Sequence, residues 1–429
     1  MLQSVTLSSV LHIKPGLNPR RLARAFKAMC NRHDVTRGQF GKLGGSWKCS
    51  IADAMPAALN EHDFLSITEE DIEPTLITHA RRSISMFDTS LVRLDVLHFG
   101  DLGNGLILRA HHGITDGFGM NVMLDDLLKQ FVGMPVLGPA LSHAQYMQDW
   151  GGDTKPAASE IEAYWEKKLL PPSKPLNIGR IKRGLPMLTN THGWRRFRSL
   201  GFRMRRQDTE RVEELSRVEN VTPFMLVNAA FLLALAQAGN AEEVLYSVTL
   251  GRSDSRLSRY AGHHTLHPFM RCHMPEGRTL GSIARASTQE FAISLDHMPS
   301  PAGRRSGWWD KRLLAAGGYP RQITSGSLNP NARAAQPAPD AAEPSNGFRI
   351  GRYELRRITM PPEAGDMDEL TFRPDFDTTG GQLDFKYDVD AFDDSEVVDI
   401  AECVFDQLGI APDRGRMLDT ATEAATLRS

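Results

Sequence analysis

The 429-residue chain has only four cysteines, Cys30, Cys49, Cys272 and Cys403, which are scattered and form no CxxC pair. This excludes a disulfide scaffold, a zinc ribbon and a thioredoxin-like site. There is no excess of charge: 50 Lys and Arg face 52 Asp and Glu, a net −2. No global basic field therefore recruits nucleic acid or an anionic membrane. The longest apolar run, Phe224 to Ala236, is broken by Asn228 and falls short of the roughly 20 residues that span a bilayer, so it reads as a buried core helix. Met1-Leu2-Gln3-Ser4-Val5 lacks the basic start and apolar core of a signal peptide. No GxSxG elbow supplies a serine nucleophile. These absences lead us to expect a cytoplasmic, soluble protein with neither nucleic acid nor membrane as partner; a monomer is expected, though none of these absences bears on oligomeric state. The 41 % hydrophobic and 24 % charged residues fit a globular chain of two or three domains, or one large two-lobed unit.

Along the chain, strand and helix patterns alternate. Ser4 to Ile13 reads as a strand. Pro15-Gly16-Leu17-Asn18-Pro19 is a turn, with Asn18 placed to cap a helix to about Asn31. Leu91 to Ala110 reads as a hairpin turning at Gly100–Gly105, followed by a helix with Met120, Met123, Leu124, Leu127 and Leu128 on one face. A Pro- and basic-rich stretch from Pro171 to Pro186 reads as a connection. Beyond it come a strand near Trp194 to Met204, a helix through Val212 and Leu215, the apolar helix ending near Gly239, and a strand from Val244 to Leu250. Asn329 to Gly347 reads as a long loop, Leu383 to Val389 as a strand, and Ser395 to Leu408 as a last helix. Sheets with helices in both halves predict α/β layers.

Between the second hairpin strand and its helix lies His111-His112-Gly113-Ile114-Thr115-Asp116-Gly117. Adjacent side chains on a strand point to opposite faces, so only one of the two histidines can face a given cleft. A neutral imidazole can take the proton of an attacking amine or hydroxyl. Such chemistry suits acyl transfer from a thioester, which is already activated. Gly117 is expected to provide a backbone geometry that a side chain would block.

The heptad resembles the HHxxxDG motif of the chloramphenicol-acetyltransferase-like superfamily and, within it, the condensation domains of nonribosomal peptide synthetases. Weaker blocks follow in the family's order. They are Arg32 to Phe40, Ala144 to Trp150 with Tyr164-Trp165, Thr249-Leu250-Gly251-Arg252, Ala261 to Leu266, and Leu295-Asp296-His297-Met298-Pro299. The resemblance implies an α/β fold of two chloramphenicol-acetyltransferase-like lobes forming a V with a central tunnel. It places the first lobe at 1–175, a linker at 176–190 and the second lobe at 191–429. It implies that His112 is the general base or positioning group and that Asp116 braces the loop by pairing with Arg252. His111 would be structural, and the Gly117 amide would polarise the acyl carbonyl. His263 and His264, which replace an apolar pair usual at that site, would line the tunnel. The partners implied are an acyl or peptidyl carrier protein and a small amine or alcohol. No cofactor is bound; the acyl donor rides on phosphopantetheine or CoA. The family's opening SxAQ-type helix, its RDxSRNPL block and the plant-type DFGWG block are absent, which points to a freestanding or divergent enzyme.

Two other functions stay open at this level: an acyl-CoA-dependent O-acyltransferase, and a non-catalytic relative that docks carrier proteins. His263, His264, His267, Cys272 and His273 crowd together, but their spacing matches no zinc pattern and strand alternation divides them, so no metal is expected. The arginines of the segment from Trp194 to Arg206 read as a solvated strand face, or as a docking patch for an acidic carrier protein or a CoA phosphate. Trp308-Trp309 would anchor a core or cap the tunnel.

Overall fold

A computed structural model of the chain describes residues 5–43, 46–54, 58–136, 138–150, 156–170, 174–185, 196–251, 259–263, 265–274, 277–298, 323–326, 347–358, 360, 368–377, 380–411 and 417–419. In chain order the first elements are β1 (Thr6–Lys14), α1 (Pro19–Arg32), β2 (Gly38–Leu43), β3 (Ser46–Ile51), β4 (Ala58–Asp63), α2 (Glu69–Ala80), β5 (Val92–His98), β6 (Asn104–His111), α3 (Gly117–Val132), α4 (His143–Trp150), α5 (Ala158–Leu169) and α6 (Gly179–Lys182). There follow β7 (Phe197–Arg205), α7 (Arg206–Glu219), α8 (Pro223–Ala238), β8 (Glu243–Gly251), β9 (Thr265–Leu266), β10 (Phe269–His273), α9 (Leu280–Asp296), β11 (Ile323–Gly326), β12 (Gly347–Ile350), β13 (Tyr353–Ile358), β14 (Leu370–Asp377), β15 (Gly380–Asp388), α10 (Asp394–Leu408) and β16 (Met417–Asp419). The chain is α/β, and it divides into two compact units, each with its own sheet.

The first unit holds a six-stranded sheet in the order β12-β13-β1-β6-β5-β4. Within it β4 and β5 run parallel and the other neighbours antiparallel. β6, the strand that leads into the histidine motif, lies between β1 and β5 and is buried along its whole length. Its register with β1 sets Thr6 opposite His111. Ile72 and Leu76 of α2 pack against Val10, Leu97 and Ile107 of the sheet. Local signals fix α1: the Asn18 side chain accepts from the Arg21 N–H, Pro19 occupies the first turn, and Leu22, Ala25, Phe26 and Met29 form the buried face.

The second unit holds the order β10-β8-β11-β14-β15-β7-β16, with β11 parallel to both neighbours. Its largely aliphatic core contains an aromatic cluster. Phe231 of α8 stacks on Phe372 of β14 with ring centroids 4.4 Å apart, and Phe385 of β15 meets Phe372 at 4.9 Å. α8 is buried on every side from Met225 to Ala236, as its unbroken apolar sequence requires. Among the described residues no single helix is long and apolar enough to cross a membrane; α7 and α8 satisfy length and composition only as a pair bent by 94°.

The division differs from the continuous lobes expected at 1–175 and 191–429. The first unit runs to Asp149 and also takes Gly251–Thr265 and Asn331–Pro361. β13 supplies the reason for the last segment. It pairs with β1 from Val10↔Ile358 to Lys14↔Glu354, satisfying backbone groups that would otherwise form an open sheet edge. No local pattern announces a partner strand some 340 residues away in sequence. Nearly all of the expected loop at Asn329 to Gly347, and Trp308-Trp309, lie outside the described residues.

Candidate active site

The motif begins where β6 ends. The His112 N–H still donates to the Val5 carbonyl at 2.8 Å, and Ile114 N–H returns to the His111 carbonyl at 3.1 Å, so the chain turns at once. His111 is buried, accepts at Nδ1 from the Gly113 N–H (2.9 Å), and meets the Phe40 ring edge-on at 6.0 Å. His112 is half-buried and hydrogen-bonds through Nδ1 to the Thr115 carbonyl at 2.7 Å. A carbonyl can only accept, so the bond assigns a proton to Nδ1; in a neutral ring the lone pair then lies on Nε2. Among the described residues Nε2 has no hydrogen-bond partner.

Asp116 caps α3: its Oδ1 accepts from the Gly119 N–H at 3.0 Å. Its Oδ2 accepts from both the N–H and the hydroxyl of Thr265, each at 2.6 Å. The carboxylate is 1 % exposed and both its oxygens are engaged, which describes a clamp. Thr115 ties the same two chain segments together, its hydroxyl donating to the Ala261 carbonyl at 2.7 Å. Behind this contact the buried Tyr260 stacks on Tyr146 (4.3 Å) and shares a 2.7 Å hydrogen bond with His143 Nδ1. Burial pushes the Tyr260 hydroxyl pKa up, with nearby Tyr146 and Asp34 adding to the shift. Burial also lowers that of His143 against the opposing pull of Asp34. Both groups thus stay neutral near pH 7.

Gly117 opens α3 and is exposed, and its amide has no hydrogen-bond partner among the described residues. The expectation that a side chain there would be blocked is corrected. A Cβ on Gly117 meets nothing within 4 Å, and the residue does not adopt a positive φ. The crowded position is Gly119, where a Cβ would lie 2.2 Å from both the Ala261 carbonyl oxygen and the Thr115 hydroxyl. Empty space at Gly117 and close approach at Gly119 reflect the helix geometry, since residues two apart face opposite sides.

His263 comes to the site: its ring stacks on that of His112 with centroids 5.2 Å apart, and its Nδ1 lies 3.7 Å from Asp116 Oδ2. His264 and Arg252 lie outside the described residues. The other histidines of the crowded segment go elsewhere. His267 bonds the Thr249 hydroxyl, Cys272 turns into the core beside Ser287, and the exposed His273 pairs with Glu243. Among the described residues no group of three or more ligands is set to hold a metal. Much of the arginine run is neutralised in ion pairs: Arg196 with Asp390, Arg198 with Asp394, Arg205 with Asp208 and Arg206 with Glu210. The sequence assigns no role to Thr115 or Thr265, which carry the site's tightest hydrogen bonds, although Thr265 lies in the Ala261–Leu266 block. Thr115 occupies a variable position of the motif, and Thr265 is distant in the chain.

Two sheet-containing units and an HHxxxDG loop at the end of a buried strand define the chloramphenicol-acetyltransferase-like class of folds. Within it, the condensation domain family matches residues 3–304, and the chain belongs to that family. It is 23 % identical over 316 residues to the phosphinothricin tripeptide synthetase PhsC of Streptomyces viridochromogenes, a match that covers 70 % of this chain but 28 % of that protein. Tyrocidine synthase 3 of Brevibacillus parabrevis is 22 % identical over 301 residues, covering 70 % of this chain and 4 % of that protein. The chain thus spans a small part of the curated relatives it matches. Among solved structures it resembles the X-domain from teicoplanin biosynthesis, at a TM-score of 0.73 and 20 % identity, covering 97 % of this chain and 92 % of that one. That X-domain has also been solved in complex with OxyB. SgcC5 from Streptomyces globisporus, solved with a naphthyl ethanediol, gives a TM-score of 0.67 at 17 % identity, with 95 % and 94 % covered.

Proposed function

We propose that the chain forms an amide or ester bond in natural-product biosynthesis, passing an acyl group from the phosphopantetheine thioester of a carrier protein to an amine or hydroxyl. The observation that carries this reading is the His112 tautomer: Nδ1–H is spent on the Thr115 carbonyl, and Nε2 keeps its lone pair. The incoming N–H or O–H gives its proton to Nε2 as its heteroatom bonds to the thioester carbon. The C–S bond then breaks and the departing thiolate takes up the proton. The Gly117 N–H, at the positive end of α3 and without a hydrogen-bond partner among the described residues, stabilises the oxyanion. Asp116, whose two oxygens accept from Gly119 and Thr265, holds the loop rather than relaying a proton.

The test uses acyl-loaded carrier protein and acyl-N-acetylcysteamine thioesters with panels of amines and diols, product being read by mass spectrometry. His112→Ala should lower turnover about 10²- to 10⁴-fold. A variant as fast as the wild type would overturn the assignment. Faster turnover of the same acyl group on CoA than on the carrier protein would point to a CoA-dependent O-acyltransferase instead. The fold likeness to the X-domain, a protein solved in complex with OxyB, supports a second reading, docking without chemistry. Tight carrier binding with no product in a single turnover would favour it.

A further inference from the structure

His263 has no place in the mechanism above, yet its ring is laid across the face of His112. The planes are 14° apart with centroids at 5.2 Å, and Nδ1 lies 3.7 Å from Asp116 Oδ2. The backbone on both sides of it is anchored to the motif loop. Before it, the Ala261 carbonyl accepts from the Thr115 hydroxyl; after it, Thr265 donates twice to Asp116. His263 is therefore held by the same two residues, Thr115 and Asp116, that close the loop around His112. An imidazole tethered by a single hydrogen bond at Nδ1 can still swing about that bond. It can also flip about χ2, which is a broad two-fold torsion for histidine. Either motion carries the Nε2 lone pair away from the direction set by Thr115. A flat ring stacked nearly parallel to it restrains both motions, because either would tilt the imidazole out of the stacked arrangement.

We propose that His263 is a positioning residue for His112. Its stacked ring holds the imidazole in the single orientation and tautomer that present Nε2 to the nucleophile. This rests on the reading of His112 as the base, and the test separates the two. Long-range proton–nitrogen spectra of the ¹⁵N-labelled full chain are recorded at a pH of about 8.5, where imidazoles are neutral, and His112 is assigned by comparison with His112→Ala. In the wild type the His112 nitrogens should show one protonated Nδ1 and one bare Nε2. His263→Phe, which keeps a flat ring, should preserve that pattern. His263→Ala and the space-filling His263→Leu should give averaged shifts. In turnover, the Ala and Leu variants should lose about tenfold in kcat with KM within about twofold, and Phe should restore most of the loss. Unaveraged shifts in both the Ala and Leu variants, or a Phe variant no better than Ala, would overturn the proposal. Averaged shifts in Ala and Leu with a fully active His112→Ala would uphold the positioning and sink the base assignment instead.

Discussion

Two sixteen-residue helices, α3 in the first unit and α8 in the second, begin with the same device and use it differently. Thr222 caps α8 by accepting from the Met225 N–H, and among the described residues it grips no distant segment. Asp116 caps α3 with one oxygen and grips Thr265 with the other. Beyond its cap α8 is core on all sides, whereas the first turn of α3 presents an exposed glycine whose amide has no partner among the described residues. The contrast teaches how an ordinary helix start becomes a site. A cap with a second acceptor can hold a distant piece of chain, and that chain brings another residue, His263, to the face of His112.

Substitutions can break or sharpen the contrast. The largest effect on stability is expected for Asp116→Ala, at about 3 kcal/mol. The loss combines about 1 kcal/mol for the cap with the cost of leaving the two Thr265 donors unmet. Urea unfolding should show a lower midpoint with an unchanged slope. Next comes Gly119→Ala, at about 2 kcal/mol, because its methyl would overlap the Ala261 carbonyl and the Thr115 hydroxyl. Thr222→Ala should cost about 1 kcal/mol in the same assay, the value of a simple cap. If Asp116→Ala costs no more than Thr222→Ala, the double use of the aspartate is wrong. The smallest change in stability is expected for Gly117→Ala, within about 0.5 kcal/mol, since its methyl enters open space. Its turnover should nonetheless fall, because that space is assigned to substrate.

Much of this was legible in the sequence. Asn18 with Pro19 signals α1, and the apolar residues from Leu91 to Leu97 and from Leu106 to Leu108 around the glycine turn signal the hairpin beneath the motif. The uniformly apolar run of α8 identified a core helix. Each is a local signal, carried by capping groups, glycine turns or a short hydrophobic period. The steric openness at Gly117 is not legible, because the motif's spacing does not say which of two nearby glycines is packed. β13 was missed as a partner of β1 because an edge strand advertises only that it can pair, not with what.

The sequence by itself determined the family, the strand–loop–helix frame of the motif and the identity of its two histidines, since these depend on residues adjacent in the chain. Only the tertiary structure decided which nitrogen of His112 carries the proton, what Asp116 holds, and that an imidazole from position 263 lies over the one at 112. Hydrogen bonds and ring contacts depend on separations of a few ångströms in space. Over the roughly 150 residues between these segments, no local pattern along the chain records them.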